Sequence, residues 1–303
     1  MSSLVVLQQM AVIAILVSIG FLLCRKGVLD KNTTPKISKI VVDICNPAVI
    51  VATVLSGNIT VTHREFLIGL ATGAALYLTF CILGILIPII LLIPKDEKKF
   101  YELMTVYTNV GFLGIPVAKA ILPENAMIYV IICNVAYSLL FYTHGIMRLS
   151  RGKSKMSLTK ILNPGVIMAV FALFIFWFDI SLPPILTNSF TYIGNPTVFL
   201  SMILLGGAVA ESNFINDVRD LKLWIFILIR MVAVPLAVVI ILKFAGVPSE
   251  MMKTFCLMSA VPVGNLPLIQ AQKSGERTDI LSKGIIVTTV FSFLSITVFM
   301  AML

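Results

Sequence analysis

Ten apolar runs succeed one another along the chain, separated by short polar connections. They cover approximately residues 4–24, 37–56, 66–93, 100–120, 126–148, 163–181, 194–212, 222–245, 251–272 and 281–303. About 20 apolar residues in a helix cross the hydrocarbon layer of a bilayer. The pattern therefore predicts an all-α integral membrane protein with ten transmembrane helices. Ten such helices use about 200 residues and leave roughly ten per connection, too few for a separate soluble domain. No positive segment precedes the first run, and Arg25-Lys26 follow it. It is expected to stay as an anchor rather than be cleaved as a signal peptide.

Composition agrees with this reading. Of 303 residues, 59% are hydrophobic and 12% charged, and the mean hydropathy is +1.03. A soluble domain carries about 25% charged residues, so a soluble enzyme is excluded. Disorder needs low hydrophobicity and high charge and is excluded too. The net charge of +9 would suggest nucleic acid in a soluble protein. Here the charges lie between apolar runs, so no nucleic-acid partner is expected. Cys24, Cys45, Cys81, Cys133 and Cys256 lie in or beside apolar runs with no metal-like spacing. They read as small core residues; no metal or cofactor is expected.

The basic residues orient the chain. Eighteen of the 23 Lys and Arg follow runs 1, 3, 5, 7 and 9, four lie on the opposite side, and Arg230 falls inside run 8. Short loops rich in Lys and Arg stay in the cytoplasm. Both termini are therefore expected outside, in a multi-pass protein of the cytoplasmic (inner) membrane.

Features recur at an offset near 150. Asn46-Pro47 matches Asn195-Pro196, Pro88 lies near the register of Pro235, and Gly114-Ile115-Pro116 matches Gly264-Asn265-Leu266-Pro267. Repeat 1 spans about 1–150 and repeat 2 about 160–303. Each holds five runs, and five is odd, so the second half enters the membrane inverted. Inverted repeats of this kind build many secondary transporters.

Runs 4 and 9 are the least apolar. Run 4 carries Asn109, Gly111, Gly114 and Pro116; run 9 carries Pro262, Gly264, Asn265, Pro267 and Gln270. Proline removes a backbone donor and glycine lowers the cost of unusual dihedrals. A break near mid-membrane is predicted in both. Such a break survives only where protein buries it or it lines a wet cavity, and paired breaks point to a transporter's binding site. These nine residues, with Asn46 and Asn195, are the substrate-binding candidates, since the Asn side chains can donate and accept hydrogen bonds. The plainer reading is two Pro-kinked packing helices with Asn as interhelical glue.

The stretch Asn109-Val110-Gly111-Phe112-Leu113-Gly114-Ile115-Pro116, with Pro262 through Gln270, resembles the signatures of the auxin efflux carrier family. The likeness is to its short prokaryotic, malate/malonate permease-like form, and it covers nearly the whole chain. It implies a fold shared with bile-acid/sodium symporters and sodium/proton antiporters. In that fold helices 4–24, 37–56, 163–181 and 194–212 form a scaffold. Helices 66–148 and 222–303 form a moving transport domain, in which broken helices 4 and 9 cross. The resemblance implies organic anion substrates: auxin in plant members, malate or malonate in bacterial ones. It also makes a homodimer through the scaffold helices an expectation. The long cytoplasmic loop of the large plant carriers is absent, since about 14 residues join the halves.

Other polar residues are secondary candidates. Arg230 is an intramembrane charge, hence a functional hypothesis, or it snorkels to the interface. Asp43 could pair with it or carry a coupling proton, or be a wet vestibule carboxylate. Asn46-Pro47 and Asn195-Pro196 suit helix restarts with Asn as N-cap, or a polar wall facing substrate. Asn134, Tyr137 and His144 form a polar stripe on run 5 that reads as packing glue or substrate contact. Gly69 and Gly73 form a GxxxG pattern expected to pack within the transport domain. No P-loop, zinc-protease motif or catalytic triad is present, so no enzyme is expected. The function expected is secondary transport of a small organic anion by alternating access. The alternatives are a sodium- or proton-coupled carrier of another substrate on the same fold, and a non-transporting receptor.

Overall fold

The computed structural model describes residues 3–55, 59–149, 162–210 and 221–303. Among them the chain is helical: α1 (Ser3–Arg25), α2 (Thr33–Leu55), α3 (His63–Ile90), α4 (Lys98–Val106), α5 (Val110–Ile121), α6 (Ala126–Leu149), α7 (Pro164–Trp177), α8 (Pro184–Ala210), α9 (Leu221–Phe244), α10 (Ser249–Ala260), α11 (Leu266–Lys273) and α12 (Asp279–Met302). Seven of these are long and apolar enough to cross a membrane; α5 and α7 are shorter apolar helices. Large apolar side chains face outward, with Phe244 at 89% and Tyr192 at 78% exposure. That surface belongs in lipid rather than water.

Local chemistry explains the ends. Thr62 starts α3 with a capping box: its hydroxyl accepts from the Glu65 N–H and the Glu65 carboxylate accepts from the Thr62 N–H. Asn163 caps α7, accepting from the Val166 N–H at 3.1 Å, with Pro164 in the first turn. In the connection before α2, Asp30 accepts from the N–H groups of Asn32 and Thr33 and the Thr33 hydroxyl. Those bonds hold its carboxyl below the ordinary value.

The helix α8 begins at Pro184, ten residues before the apolar run marked from 194. Its first half reads as polar, but Ser189 and Thr191 turn their hydroxyls onto the carbonyls of Ile185 and Thr187. Back-bonding of this kind lets a helix carry hydroxyls in an apolar setting. The expected helix restarts at Asn46 and Asn195 are not found. Asn46 (φ −61°, ψ −48°) and Asn195 (φ −56°, ψ −39°) are both helical. In α2 the chain instead widens into a π-turn over Val41–Cys45, just ahead of Pro47. The same happens at Val110–Gly114 before Pro116 and at Ile229–Ala233 before Pro235. A proline has no N–H and its ring crowds the carbonyl four residues back. Widening the preceding turn relieves that clash without breaking the helix.

Close backbone approaches fix the packing. A Cβ on Gly20 of α1 would lie 2.7 Å from the Ile203 Cα of α8, and one on Gly206 would lie 2.7 Å from the Phe21 N. Gly194 of α8 sits equally close to Val49 of α2. Gly69 and Gly73 of α3 make room for Tyr129 and Ile132 of α6. Small residues let membrane helices meet in this way.

Candidate functional site

The breaks in runs 4 and 9 are where the chain meets itself. Helix α4 stops at Val106 and α10 at Ala260, each followed by an extended residue, Tyr107 (ψ 91°) and Val261 (ψ 149°). Val261 precedes Pro262, whose ring disfavours the helical region for the residue before it. The two extended segments run antiparallel and pair as Thr108 with Val263. The Asn109 N–H donates to the Pro262 carbonyl at 2.7 Å, and the Gly264 N–H to the Tyr107 carbonyl at 2.9 Å. The Val263 N–H donates to the Thr288 hydroxyl of α12 at 3.1 Å. Backbone groups freed by both breaks thus satisfy each other. Gly264 is required here: a Cβ would lie 2.8 Å from the Thr108 carbonyl oxygen and 3.2 Å from the Tyr137 hydroxyl.

Four half-helix ends converge on this crossing, sorted by sign. The two C-terminal ends, of α4 and α10, face Arg230. That side chain is 1% exposed. Its Nε donates to the Thr105 carbonyl at 3.0 Å and its Nη1 to the Ser259 carbonyl at 2.5 Å, while the guanidinium lies 4.7 Å from the Phe80 ring centroid. A helix C-terminus carries about half a negative charge, so one buried cation offsets two such ends. The two N-terminal ends, of α5 and α11, open on a cavity of about 90 Å³. Asn109 caps α5, its Oδ1 accepting from the Phe112 N–H at 3.2 Å. Asn265 stands at the N-cap of α11 and makes no capping bond with its side chain.

The cavity is lined by amides and hydroxyls: Asn46, Thr108, Asn109, Asn134, Tyr137, Ser138, Tyr142, Asn163 and Asn265, with Gly111 and the apolar Val42, Ile50, Phe112, Ile115 and Leu266 among the rest. Asn46 of α2 donates to the Gly111 carbonyl at 3.1 Å. Its Oδ1 and the Asn109 Nδ2 are buried and unpartnered. Among the described residues, no Lys, Arg, Asp or Glu lines the cavity. A space of this size takes a few waters, at roughly 30 Å³ each, or a small carboxylate. Two positive helix ends and free amide donors favour an anion there.

Most candidate residues of the breaks sit at the crossing, with different roles. Asn109, Gly111, Asn265, Asn46, Asn134 and Tyr137 line the cavity. Pro262 and Gly264 are buried in the crossing backbone and lie outside the lining. Gly114 packs on Met258, and Pro116 and Pro267 are buried in the first turns of their helices. Two further candidates lie outside the cavity lining. Asn195 is exposed and outside the cavity, where the segments Pro184–Gly194 and Pro196–Ala210 of α8 meet. Gln270 is outside as well; its amide donates to the Ser274 hydroxyl one turn on. Arg230 neither snorkels nor pairs with Asp43, since its bonds go to the two carbonyls. Asp43 is half-buried on α2 beside the lining residue Val42. Ser138 and Tyr142 were readable from the sequence, because they continue the Asn134 face at four-residue spacing. Asn163 reads as a cap before Pro164 and nothing in the sequence places it at the cavity.

A second polar cluster adjoins the crossing. Glu102 of α4, 5% exposed, bonds His144 Nε2 at 3.0 Å and Arg148 in a two-pronged contact. His144 Nδ1 lies 2.9 Å from the Tyr107 hydroxyl, which donates to the Leu140 carbonyl at 3.1 Å.

Comparison with known proteins places the chain in a transporter family. The model of a family described as membrane transport protein matches residues 5–159 and again 148–300. Both halves are thus covered, in keeping with the resemblance to auxin efflux carriers. The chain is also similar to an uncharacterized transporter of Methanocaldococcus jannaschii, at 24% identity over 301 residues and 94% of each chain.

Proposed function

As the chain belongs to the membrane transport protein family and is a multi-pass membrane transporter, we propose that it carries a small organic anion, such as malate or malonate, by alternating access. The observation that carries this reading is the sorting of helix ends: Arg230 offsets the negative ends, and the positive ends open on an amide-lined cavity. Ten spans arranged as a five-plus-five inverted repeat account for the paired breaks at an offset near 150. Helices α1, α2, α7 and α8 form the scaffold in this reading; α3–α6 and α9–α12 form the transport domain. Asn46 reaches from scaffold to break, so it reports the relative position of the two bodies. Both termini face outside, and the scaffold helices offer a homodimer surface. An anion moving outward is favoured by an inside-negative potential, about 2.3 kcal/mol per charge per 100 mV.

Reconstitution tests the reading. Purified protein in proteoliposomes is assayed with labelled malate, malonate and an indole carboxylate, with and without an imposed potential or pH gradient. Flux of a carboxylate, lost in Asn109→Ala with Asn265→Ala, is the expected result. Folded protein that moves none of the three, or a double variant that transports normally, refutes it.

A further inference from the structure

The Glu102–His144–Tyr107 cluster lies outside the cavity and has no part in the proposed transport step. Tyr107 is nevertheless the first residue of the break in run 4. Its carbonyl accepts from Gly264, its ring stands edge-on to the cavity residue Tyr137 at 5.7 Å, and Thr108 and Asn109, next in the chain, line the cavity. The cluster therefore connects a buried carboxylate to the substrate site through one imidazole.

Hydrogen-bond counting distinguishes the two states of that imidazole. Tyr107 has one hydroxyl proton and two acceptors within reach, the Leu140 carbonyl at 3.1 Å and His144 Nδ1 at 2.9 Å. Neutral His144 must keep its proton on Nε2, facing Glu102. Tyr107 then donates to Nδ1 and gives up Leu140, whose carbonyl also accepts from the Thr143 hydroxyl. Imidazolium donates from both nitrogens: Nε2–H to Glu102 and Nδ1–H to Tyr107, whose own proton goes to Leu140. All the contacts in the structure are made together only in the doubly protonated state. Glu102 and Arg148 cancel in charge, so protonation leaves the cluster with a net positive charge beside the break.

We propose that His144 is a proton-binding site coupled to the cavity, so that the anion is carried together with a proton. This rests on the anion reading above. A hydronium ion of the bulk solvent gives up its proton, its O–H bond breaking as an N–H bond forms at Nδ1 and water leaves, and the Tyr107 hydroxyl turns from Nδ1 to the Leu140 carbonyl. Chains of Asp, Glu and His inside membrane proteins serve as proton relays, and histidine changes charge near neutral pH. The groups around His144 are Glu102 and Tyr107 from the α4 side and Arg148 on its own helix. Cys81 of α3 lies beside Glu102 and Tyr107, and Asp43 of α2 lies beside Tyr142. Helix α11, packed on the end of α6, brings Lys273, and α12, packed on α4, brings Lys283.

Calorimetry of malonate binding in buffers of differing ionisation enthalpy counts the protons taken up per anion. Wild type is expected to take up a proton. His144→Gln is expected to take up none and to bind malonate at least about fivefold more weakly, the lower end of measured site coupling. Uptake unchanged in that variant, or no uptake by wild type that binds malonate, overturns the proposal. The chain has two histidines, His63 and His144, so His63→Gln leaves a single labelled imidazole for NMR. This readout needs no substitution in the cluster and no anion. If malonate does not bind, the anion reading fails by itself. The proton site then stands if the ring changes protonation between about pH 5 and 8, and falls if it keeps one state throughout.

Discussion

Arg230 gives the sharpest test of how the crossing is held. Its two bonds reach the last turns of α4 and α10, to Thr105 and Ser259, and both acceptors are buried. Arg230→Met keeps most of the volume and removes both donors and the charge. A buried carbonyl left without its partner costs about 1–3 kcal/mol, and two are stranded. Each C-terminal end also loses its cation, worth up to about 2 kcal/mol in a partly buried setting. Against this, the charge no longer has to be held out of water, a relief of several kcal/mol. The net expected loss is about 2–4 kcal/mol, a shift in the folding equilibrium of one to three orders of magnitude at about tenfold per 1.4 kcal/mol. Arg230→Lys keeps the charge but cannot span both carbonyls, so it falls between Met and wild type. Reversible unfolding in mixed detergent micelles reads the difference, with urea-free controls for aggregation. Arg230→Met within about 0.5 kcal/mol of wild type, the range of an inert surface change, refutes the claim that one cation holds both ends.

Gly264→Ala places a Cβ 2.8 Å from the Thr108 carbonyl oxygen; it should cost about 1–3 kcal/mol as overpacking does and abolish flux, seen by thermal unfolding and proteoliposome assay together. Asn109→Asp keeps the cap on α5 but puts a negative charge in a cavity lined by uncharged side chains; malonate-induced thermal stabilisation should vanish while unliganded stability stays within about 1 kcal/mol, the worth of a cap. Asn195→Ala, outside the cavity, should leave malonate affinity unchanged; a matching loss there would place the site elsewhere. Gly206→Leu drives a side chain into the backbone of α1 at Val17 and Phe21 and should lower the yield of folded protein, measured by size-exclusion chromatography, where Gly246→Ala, with open space around it, should cost only the strain of its positive φ.

What was legible in the sequence follows from which forces act locally. Hydrophobic runs mark helices because lipid demands an internally bonded backbone. The runs at 100–120 and 251–272 accordingly return as α4 with α5 and α10 with α11. The break in run 9 was legible because Pro262 acts on the residue before it, whereas the break in run 4 falls at Tyr107–Asn109, ahead of Gly111 and Pro116, which lie within α5. The start of α8 was not, since hydroxyls that bond back to their own helix look polar in a sequence and apolar in the fold. Asn46-Pro47 misled for a related reason: a proline can be absorbed by a π-turn upstream as readily as it can end a helix. Arg230 and Glu102 mark the limit. Their burial depends on carbonyls and side chains from other helices, and no spacing along α9 or α4 encodes those neighbours. A charge in an apolar run therefore says that something must pay for it, and only the fold says what. Here the answers differ in kind. Arg230 meets backbone dipoles, which cannot titrate, so it is a fixed charge. Glu102 meets Arg148 and an imidazole, so in the proton coupling proposed above the charge beside the crossing is adjustable. On the transport reading proposed above, the first holds the broken helices together and the second lets the states differ.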